Sequence, residues 1–278
     1  MTALLAALAG VLGLAVGSFL NVVVHRVPAG ESLVRPGSAC PRCGHPIRRR
    51  DNIPLVSWLV LRGRCRDCGA RISVRYPLIE AATAVAFVLV TLCLGPGGWL
   101  AAPTGTPILA VAQSLVLLAY LWFVAASIAL TAIDIEVRRL PDRIVLTSFA
   151  VVVLLLASAA AFSGDLGAIL RALGGGAALF AGFLLLALVT RGGMGFGDVK
   201  LAALIGVATG WIGWPALLTG VFAAFLLGGL FGIALLLARR AGRRSATPFG
   251  PWMIAGAWIG IVAGQAIWDR YLAVAGLA

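Results

Sequence analysis

The chain has 278 residues, of which 61% are hydrophobic and 12% charged, and its mean hydropathy of +1.04 excludes an ordinary water-soluble domain. A net charge of +12 is compatible with a nucleic-acid-binding protein. However, 20 of the 22 Lys and Arg residues fall in four segments, at 25–76, 134–143, 191–200 and 239–244. The intervening connections, at 96–106, 163–166 and around 214, carry no basic residue. This is the positive-inside pattern of membrane proteins, so membrane lipids and no nucleic acid are the predicted partners.

Eight apolar stretches approach the roughly 20 residues with which a helix crosses a ~30 Å hydrocarbon core. They lie at 2–24, 77–95, 107–133, 143–162, 167–190, 199–213, 215–238 and 252–273. Because lipid offers the backbone no hydrogen-bond partner, all of them should be helical. The predicted fold is an all-α polytopic membrane protein with both termini outside and its basic loops in the cytoplasm. The first stretch has no basic segment before it, so a retained helix is predicted and not a secretory signal.

Four of the five cysteines lie in the first basic loop, in two Cys-x-x-Cys turns. They are Cys40, Cys43, Cys65 and Cys68. This spacing is typical of a tetrathiolate Zn²⁺ site with a structural role, whereas disulfides are disfavoured in a reducing cytosol. His45 is either a bystander or a replacement ligand, and Cys93 is predicted to be a buried apolar residue. The predicted domains are a first helix (1–24), a zinc-binding loop domain (25–76) and a polytopic helical domain (77–278).

Asp134 and Asp198 each lie beside an apolar helix, in a chain with only ten acidic residues. Carboxylates at such depth are costly and usually mark a functional site. Two close carboxyls share one proton and can activate water, which predicts an aspartyl protease. The alternatives are a helix N-cap for Asp198 and an ion pair with Arg138 for Asp134.

The residues around the second acid also bear on function. Gly192, Gly193, Gly195 and Gly197 precede Asp198 and would let an extended substrate approach it. Lys200 is the only lysine in the chain. Either the site requires a compact ammonium at this position, or a lysine has been kept here by chance. Asp142, in Leu-Pro-Asp-Arg, is predicted to cap the fourth span.

Seven ordered motifs resemble those of the prepilin peptidases, the type IV leader peptidase/N-methyltransferases, which are GxGD-type membrane aspartyl proteases. The motifs are Gly17-Ser-Phe-Leu-Asn21 through Pro28, Cys-Pro-Arg-Cys, Asn52 through Gly63, Cys-Arg-Asp-Cys, Tyr76-Pro-Leu-Ile-Glu80, Asp134 through Asp142 with Gly195-Phe-Gly-Asp-Val-Lys200, and Pro248-Phe-Gly-Pro251. The resemblance covers nearly the whole chain.

This resemblance implies an enzyme of the bacterial inner membrane that cleaves the leaders of type IV prepilins and type II secretion pseudopilins at the cytoplasmic face. Asp134 and Asp198 would be catalytic, with Gly195, Gly197, Lys200 and Asp142 supporting the site. Members with the four-cysteine loop also methylate the new N-terminus with S-adenosylmethionine.

The chain carries no G-x-G-x-x-G in a βαβ unit, so a Rossmann-type cofactor site is not predicted. Glu80 and Asn21 are the candidate cofactor contacts. Alternatively, Glu80 is an acid at a helix N-terminus and Asn21 bonds one helix to another. Two other functions stay open: a peptidase without methyl transfer, and an ion-coupled transporter with a zinc-stabilised loop.

Overall fold

The structure is a computed structural model that describes residues 2–101, 105–190, 194–238 and 248–277. Within these ranges the regular secondary structure is helical, and a 3₁₀ turn lies at Arg49–Asp51. The α-helices are α1 (Thr2–Arg26), α2 (Val56–Val60), α3 (Arg75–Leu94), α4 (Pro107–Val137), α5 (Asp142–Ser163), α6 (Leu166–Val189), α7 (Phe196–Ile212), α8 (Trp214–Leu237) and α9 (Gly250–Val274). The predicted cytoplasmic segment 239–244 and the glycines Gly192 and Gly193 lie outside the described residues.

Eight of these helices correspond to the eight predicted spans, so the all-α polytopic membrane fold is confirmed. Seven of the described helices are long and apolar enough to cross a membrane. The exception, α7, has 17 residues. That length gives about 25 Å of helix, less than the ~30 Å hydrocarbon core.

The chain divides into two compact units, Met1–Ala101 and Ala102–Ala278. In the first unit, α1 and α3 pack closely because glycines on α1 face the backbone of α3. A Cβ on Gly13 would lie 2.7 Å from the Cα of Ala84, and one on Gly17 would lie 2.7 Å from the Cα of Glu80. Small residues bring membrane helices together in this way. The predicted division at residue 76 stays a prediction.

In the second unit, α7 contacts α5, α6, α8 and α9. Its pairing with α6 is close, since a Cβ on Gly175 would lie 2.7 Å from the carbonyl oxygen of Gly206. Arg171 on α6 donates hydrogen bonds of 2.9 and 2.8 Å to the carbonyl oxygens of Gly210 and Trp211. These are C-terminal carbonyls of α7 that lack helical partners, so Arg171 caps that helix. The C-terminal end of α7 is thereby fixed within this unit, and Asp198 lies near the other end.

Candidate active site and metal site

Asp134 lies in the last turn of α4 and is only 5% exposed. The helix ends three residues later at Val137, and the next residue, Arg138, adopts a left-handed conformation with φ of 54° and donates its N–H to the Asp134 carbonyl oxygen. Arg138 therefore meets Asp134 through the backbone, and the ion pairs of the described residues do not include one between these two side chains. The carboxylate instead accepts a hydrogen bond of 3.1 Å at Oδ2 from the N–H of Gly250.

Gly250 is the first residue of α9, and its N–H is one of the groups that a helix leaves without an internal partner. A Cβ at this position would lie 2.7 Å from Asp134 Oδ2, so only glycine lets the backbone approach the carboxylate this closely. The Pro248–Pro251 motif is visible in the sequence, and its prolines predict a helix start. The acid that this helix start meets is 116 positions away, and only the fold reveals it.

Asp198 is the third residue of α7, and Gly195 occupies the N-cap position. The alternative in which Asp198 is the N-cap is therefore wrong. Its backbone N–H donates to the Gly195 carbonyl oxygen at 3.0 Å, within the first helical turn. A Cβ on Gly195 would lie 3.4 Å from Asp198 Oδ2, so the glycine leaves one side of the carboxylate uncovered.

Leu140, in the connection between α4 and α5, marks where the elements of the site meet. A Cβ on Gly197 would lie 3.0 Å from Leu140 Cβ, and one on Gly250 would lie 3.5 Å from Leu140 Cδ2. The starts of α7 and α9 thus converge on the end of α4. Asp134 lies near enough to Asp198 for its charge to act on that carboxyl. The two acids, 64 positions apart in sequence, belong to one cluster at one end of the second unit.

Lys200 links this cluster to α5. Its ammonium lies 2.7 Å from Asp142 Oδ2 and 4.9 Å from the centre of the Phe196 ring. Asp142 does not cap α5 as predicted, because Pro141 occupies the N-cap position and Asp142 is the first helical residue. Its carboxylate binds Lys200 instead. The pair joins the start of α5 to the start of α7, and a supporting role for Lys200 and Asp142 in the site stays a prediction.

The four loop cysteines come together in the first unit, with their Sγ atoms all within 4.8 Å of one another. The Sγ atoms of Cys40 and Cys68 are 3.8 Å apart, close to the separation of about 3.8 Å that follows from four Zn–S bonds of ~2.3 Å in a tetrahedron. The donor set and spacing therefore fit a Zn²⁺ ion. His45 does not belong to the cluster, and Cys93 is buried as predicted.

Each Cys-x-x-Cys turn is closed by its own backbone. The N–H of Cys40 bonds the His45 carbonyl at 3.0 Å, and the N–H of Cys65 bonds the Ala70 carbonyl at 2.8 Å. Gly44 and Gly69 complete the turns with φ of 72° and 69°, a left-handed conformation that glycine adopts without strain. The two turns are thus alike in backbone, and each presents two thiols to the same point.

Backbone hydrogen bonds already favour one thiolate. The N–H groups of Cys43 and Arg42 lower the pKa of the Cys40 thiol to about 6. For Cys43, the His45 N–H also favours the thiolate, but burial and hydrogen bonds to Cys40, Cys68 and Cys65 raise its pKa to about 12. Metal binding at such a site must therefore displace protons.

Asn21 and Glu80 lie at one end of the α1–α3 pair and are 4% and 8% exposed. The Asn21 side-chain N–H donates to the Tyr76 carbonyl at 3.2 Å, which is the predicted bond between helices. Asn21 Oδ1 is buried and has no hydrogen-bond partner in the described part of the chain. Glu80 Oε2 accepts a hydrogen bond of 2.8 Å from the N–H of Leu55, so Glu80 also ties the loop to α3.

Comparison with known proteins gives two family matches: the bacterial peptidase A24 N-terminal domain over residues 11–94 and the type IV leader peptidase family over 117–233. Relatives named prepilin leader peptidase/N-methyltransferase include one from Aeromonas salmonicida, 36% identical over 93% of this chain and 91% of the relative. One from Pseudomonas aeruginosa is 37% identical over 95% and 92%. One from Myxococcus xanthus is 41% identical over 84% of this chain and 64% of the relative. No solved structure matches the chain.

Proposed function

The chain belongs to the type IV leader peptidase family, and we propose that it cleaves the leader peptides of prepilins and type II secretion pseudopilins and then methylates the new N-terminal residue. The observation that carries the peptidase half is the cluster of Asp134 and Asp198 at the end of α4. No other pair of acids in the described residues is embedded in apolar helix in this way.

Cleavage by such a pair needs one ionised carboxylate and one protonated carboxyl. The ionised group removes a proton from a water molecule, which attacks the peptide carbonyl carbon, and the protonated group donates to the leaving amine. The Gly250 N–H donates to one lone pair of Asp134 Oδ2, which stabilises negative charge on that oxygen. The shared proton is therefore better accommodated on Asp134 Oδ1 or on Asp198.

Gly195 and Gly197 support an extended substrate at this point, because backbone without side chains lets the scissile peptide approach Asp198 closely. The basic segments favour an orientation with this end of the helices at the cytoplasmic face of the inner membrane and both termini outside. Substrates with a basic leader followed by an apolar segment fit such a site at the membrane boundary.

We assign Zn²⁺ to the four cysteines, with a structural role. Four thiolates fill the coordination shell of the metal and leave no position for substrate. The loop between α1 and α3 is otherwise held by hydrogen bonds and ion pairs, among them the bidentate pair of Arg66 with Asp51, which lowers the pKa of the Asp51 carboxyl. The metal would hold the two Cys-x-x-Cys turns together.

We place methyl transfer at the end of the α1–α3 pair, near Asn21 and Glu80. The supporting observation is the buried Asn21 Oδ1, an acceptor that has no partner among the described residues and suits a polar ligand. S-adenosylmethionine, when bound, supplies the activated methyl group that is transferred to the amine. Glu80 would orient cationic groups of the donor or the acceptor by its negative charge.

Mass spectrometry of a prepilin incubated with the purified enzyme and S-adenosylmethionine tests the proposal, with wild type beside Asp134→Asn and Asp198→Asn. Leader loss and one added methyl in wild type, with neither variant cutting, is the expected result. Cleavage without methylation would select a peptidase without methyltransferase activity. Cleavage by either variant at the wild-type rate would remove that acid from the mechanism.

A further inference from the structure

The short helix α2 has an unusual orientation within the loop between α1 and α3. Its polar and aromatic residues face inward: Ser57 is buried, with Oγ donating to the Arg50 carbonyl at 3.0 Å, and the Trp58 ring N–H donates to the Ile72 carbonyl at 3.3 Å. The Ile53 N–H also donates to Ser57 Oγ at 2.9 Å. These bonds fix which face of α2 points away from the loop.

The outward face is aliphatic. Val56, Leu59 and Val60 are 51%, 65% and 69% exposed. Their spacing of i, i+3 and i+4 places them side by side on one face of the helix. A fixed aliphatic face of this kind is unfavourable in water and is typical of a contact surface.

The position of α2 identifies the surroundings of this face. The N–H of Leu55, directly before α2, donates to Glu80 Oε2 at 2.8 Å. Glu80 lies in the second turn of α3, a helix long and apolar enough to span the membrane. The hydrogen bond therefore holds α2 beside the first turns of a helix that can span the membrane.

Basic residues flank α2 on both sides in the sequence. Arg49 and Arg50 precede α2 and Arg62 and Arg64 follow it, and all four are exposed. None of the four has an ion-pair partner in the described part of the chain, whereas Arg48 and Arg66 are paired with Asp67 and Asp51. Unpaired guanidinium groups beside an apolar face suit anionic lipid headgroups above acyl chains.

We propose that Val56, Leu59 and Val60 form a lipid-docking face that inserts into the anionic leaflet, with the flanking arginines bound to headgroups. This contact would hold the metal-binding loop against the membrane surface. The loop would then be oriented by lipid as well as by Glu80.

Depth measurement by electron paramagnetic resonance tests the proposal in the full-length protein in nanodiscs. A nitroxide is attached through a non-canonical amino acid at position 59, so that the cysteines stay intact. The control carries the same label at Ile47, an aliphatic residue of the same loop that is 43% exposed. Both proteins must retain the metal content and unfolding temperature of the unlabelled chain.

In nanodiscs that contain phosphatidylglycerol, we expect the label at 59 to collide mainly with oxygen, which dissolves in lipid, and the label at 47 mainly with a water-soluble nickel chelate. Replacing phosphatidylglycerol by phosphatidylcholine should make the label at 59 shallower. Equal access of the nickel chelate to both labels would overturn the proposal. Depth that does not change with lipid charge would overturn its electrostatic part. Shielding that begins only when a prepilin is added would show that the face binds substrate and not lipid.

Discussion

The N–H of Gly250, the first residue of α9, donates a hydrogen bond of 3.1 Å to Oδ2 of Asp134, near the end of α4. The distance leaves no room for a side chain, since a Cβ on residue 250 would lie 2.7 Å from that oxygen. One backbone group therefore sets the position of the carboxylate and stabilises negative charge on one of its oxygens. This makes Gly250 a positioning residue for the proposed dyad.

Gly250→Ala should lower kcat/KM for leader cleavage by about 100-fold, because displacing a reacting group by about 1 Å commonly costs that much. The added methyl group must push either α9 or the Asp134 carboxylate away. Initial rates of prepilin cleavage measure the effect, and circular dichroism checks that the helices remain.

The matched control is Gly229→Ala on α8, where an added Cβ meets nothing within 4 Å. Alanine favours a helix more than glycine by about 1 kcal/mol, so this variant should be fully active and at least as stable. Equal activity of both variants would mean that Asp134 does not depend on its contact with α9.

The Lys200–Asp142 pair should contribute to cleavage by holding the start of α7 near α5. Asp142 is 59% exposed, so water screens the pair and its coupling energy should be about 1 kcal/mol or less. We therefore expect Lys200→Met and Asp142→Asn each to lower kcat/KM about fivefold. The double variant should be no worse than either single one, because both remove the same interaction.

Lys200→Arg provides the control for this pair. It keeps the positive charge but replaces a compact ammonium by a planar guanidinium, which does not fit the space between Asp142 and the Phe196 ring equally well. Activity between that of wild type and Lys200→Met is expected. Effects of the two single variants that multiply in the double variant would show that the residues act independently.

The membrane helices were predictable because about 20 consecutive apolar residues are a strong and local signal. The same holds for the four-cysteine cluster, because its members lie in two closely spaced pairs within one loop. Helix ends were predicted less well: the fourth span begins at Asp142 itself, and α7 begins at Phe196, three residues before the predicted span. Capping depends on one or two dihedral angles, which composition does not determine.

Contacts across long sequence separation were not predictable from one sequence. Arg171 is one of two basic residues outside the four basic segments, and charge patterning gives it no role. In the structure it binds carbonyls 39 and 40 positions away. The Asp134–Gly250 bond likewise depends on how α4 and α9 pack, and hydrophobic periodicity contains no information about that pairing.

Cys40→Ser and Cys68→Ser should each release the metal and make the loop between α1 and α3 sensitive to trypsin, which cuts at its arginines. A site that loses one of four ligands holds Zn²⁺ far more weakly, and with the structural role proposed above the loop then loses its fold. Elemental analysis should give one zinc per wild-type chain.

Cys93→Ala is the control, because Cys93 is buried in α3 outside the cluster and its loss should leave the zinc content and the trypsin resistance unchanged. A chelated wild-type loop that still resists trypsin would argue against a structural metal.

Glu80→Gln separates the two roles of Glu80. Glutamine keeps an acceptor oxygen for the Leu55 N–H, so the loop should stay attached to α3, but it removes the negative charge. If that charge orients a cationic group during methyl transfer, methylation should fall about tenfold, equivalent to ~1.4 kcal/mol, while leader cleavage is unchanged. Quantifying the methylated and unmethylated N-terminal peptides in one reaction measures both steps.

Glu80→Ala should impair methylation further, because it also frees the loop. Normal methylation by Glu80→Gln together with loss in Glu80→Ala would show that Glu80 acts only as a loop anchor, and the donor site would then have to be sought around Asn21.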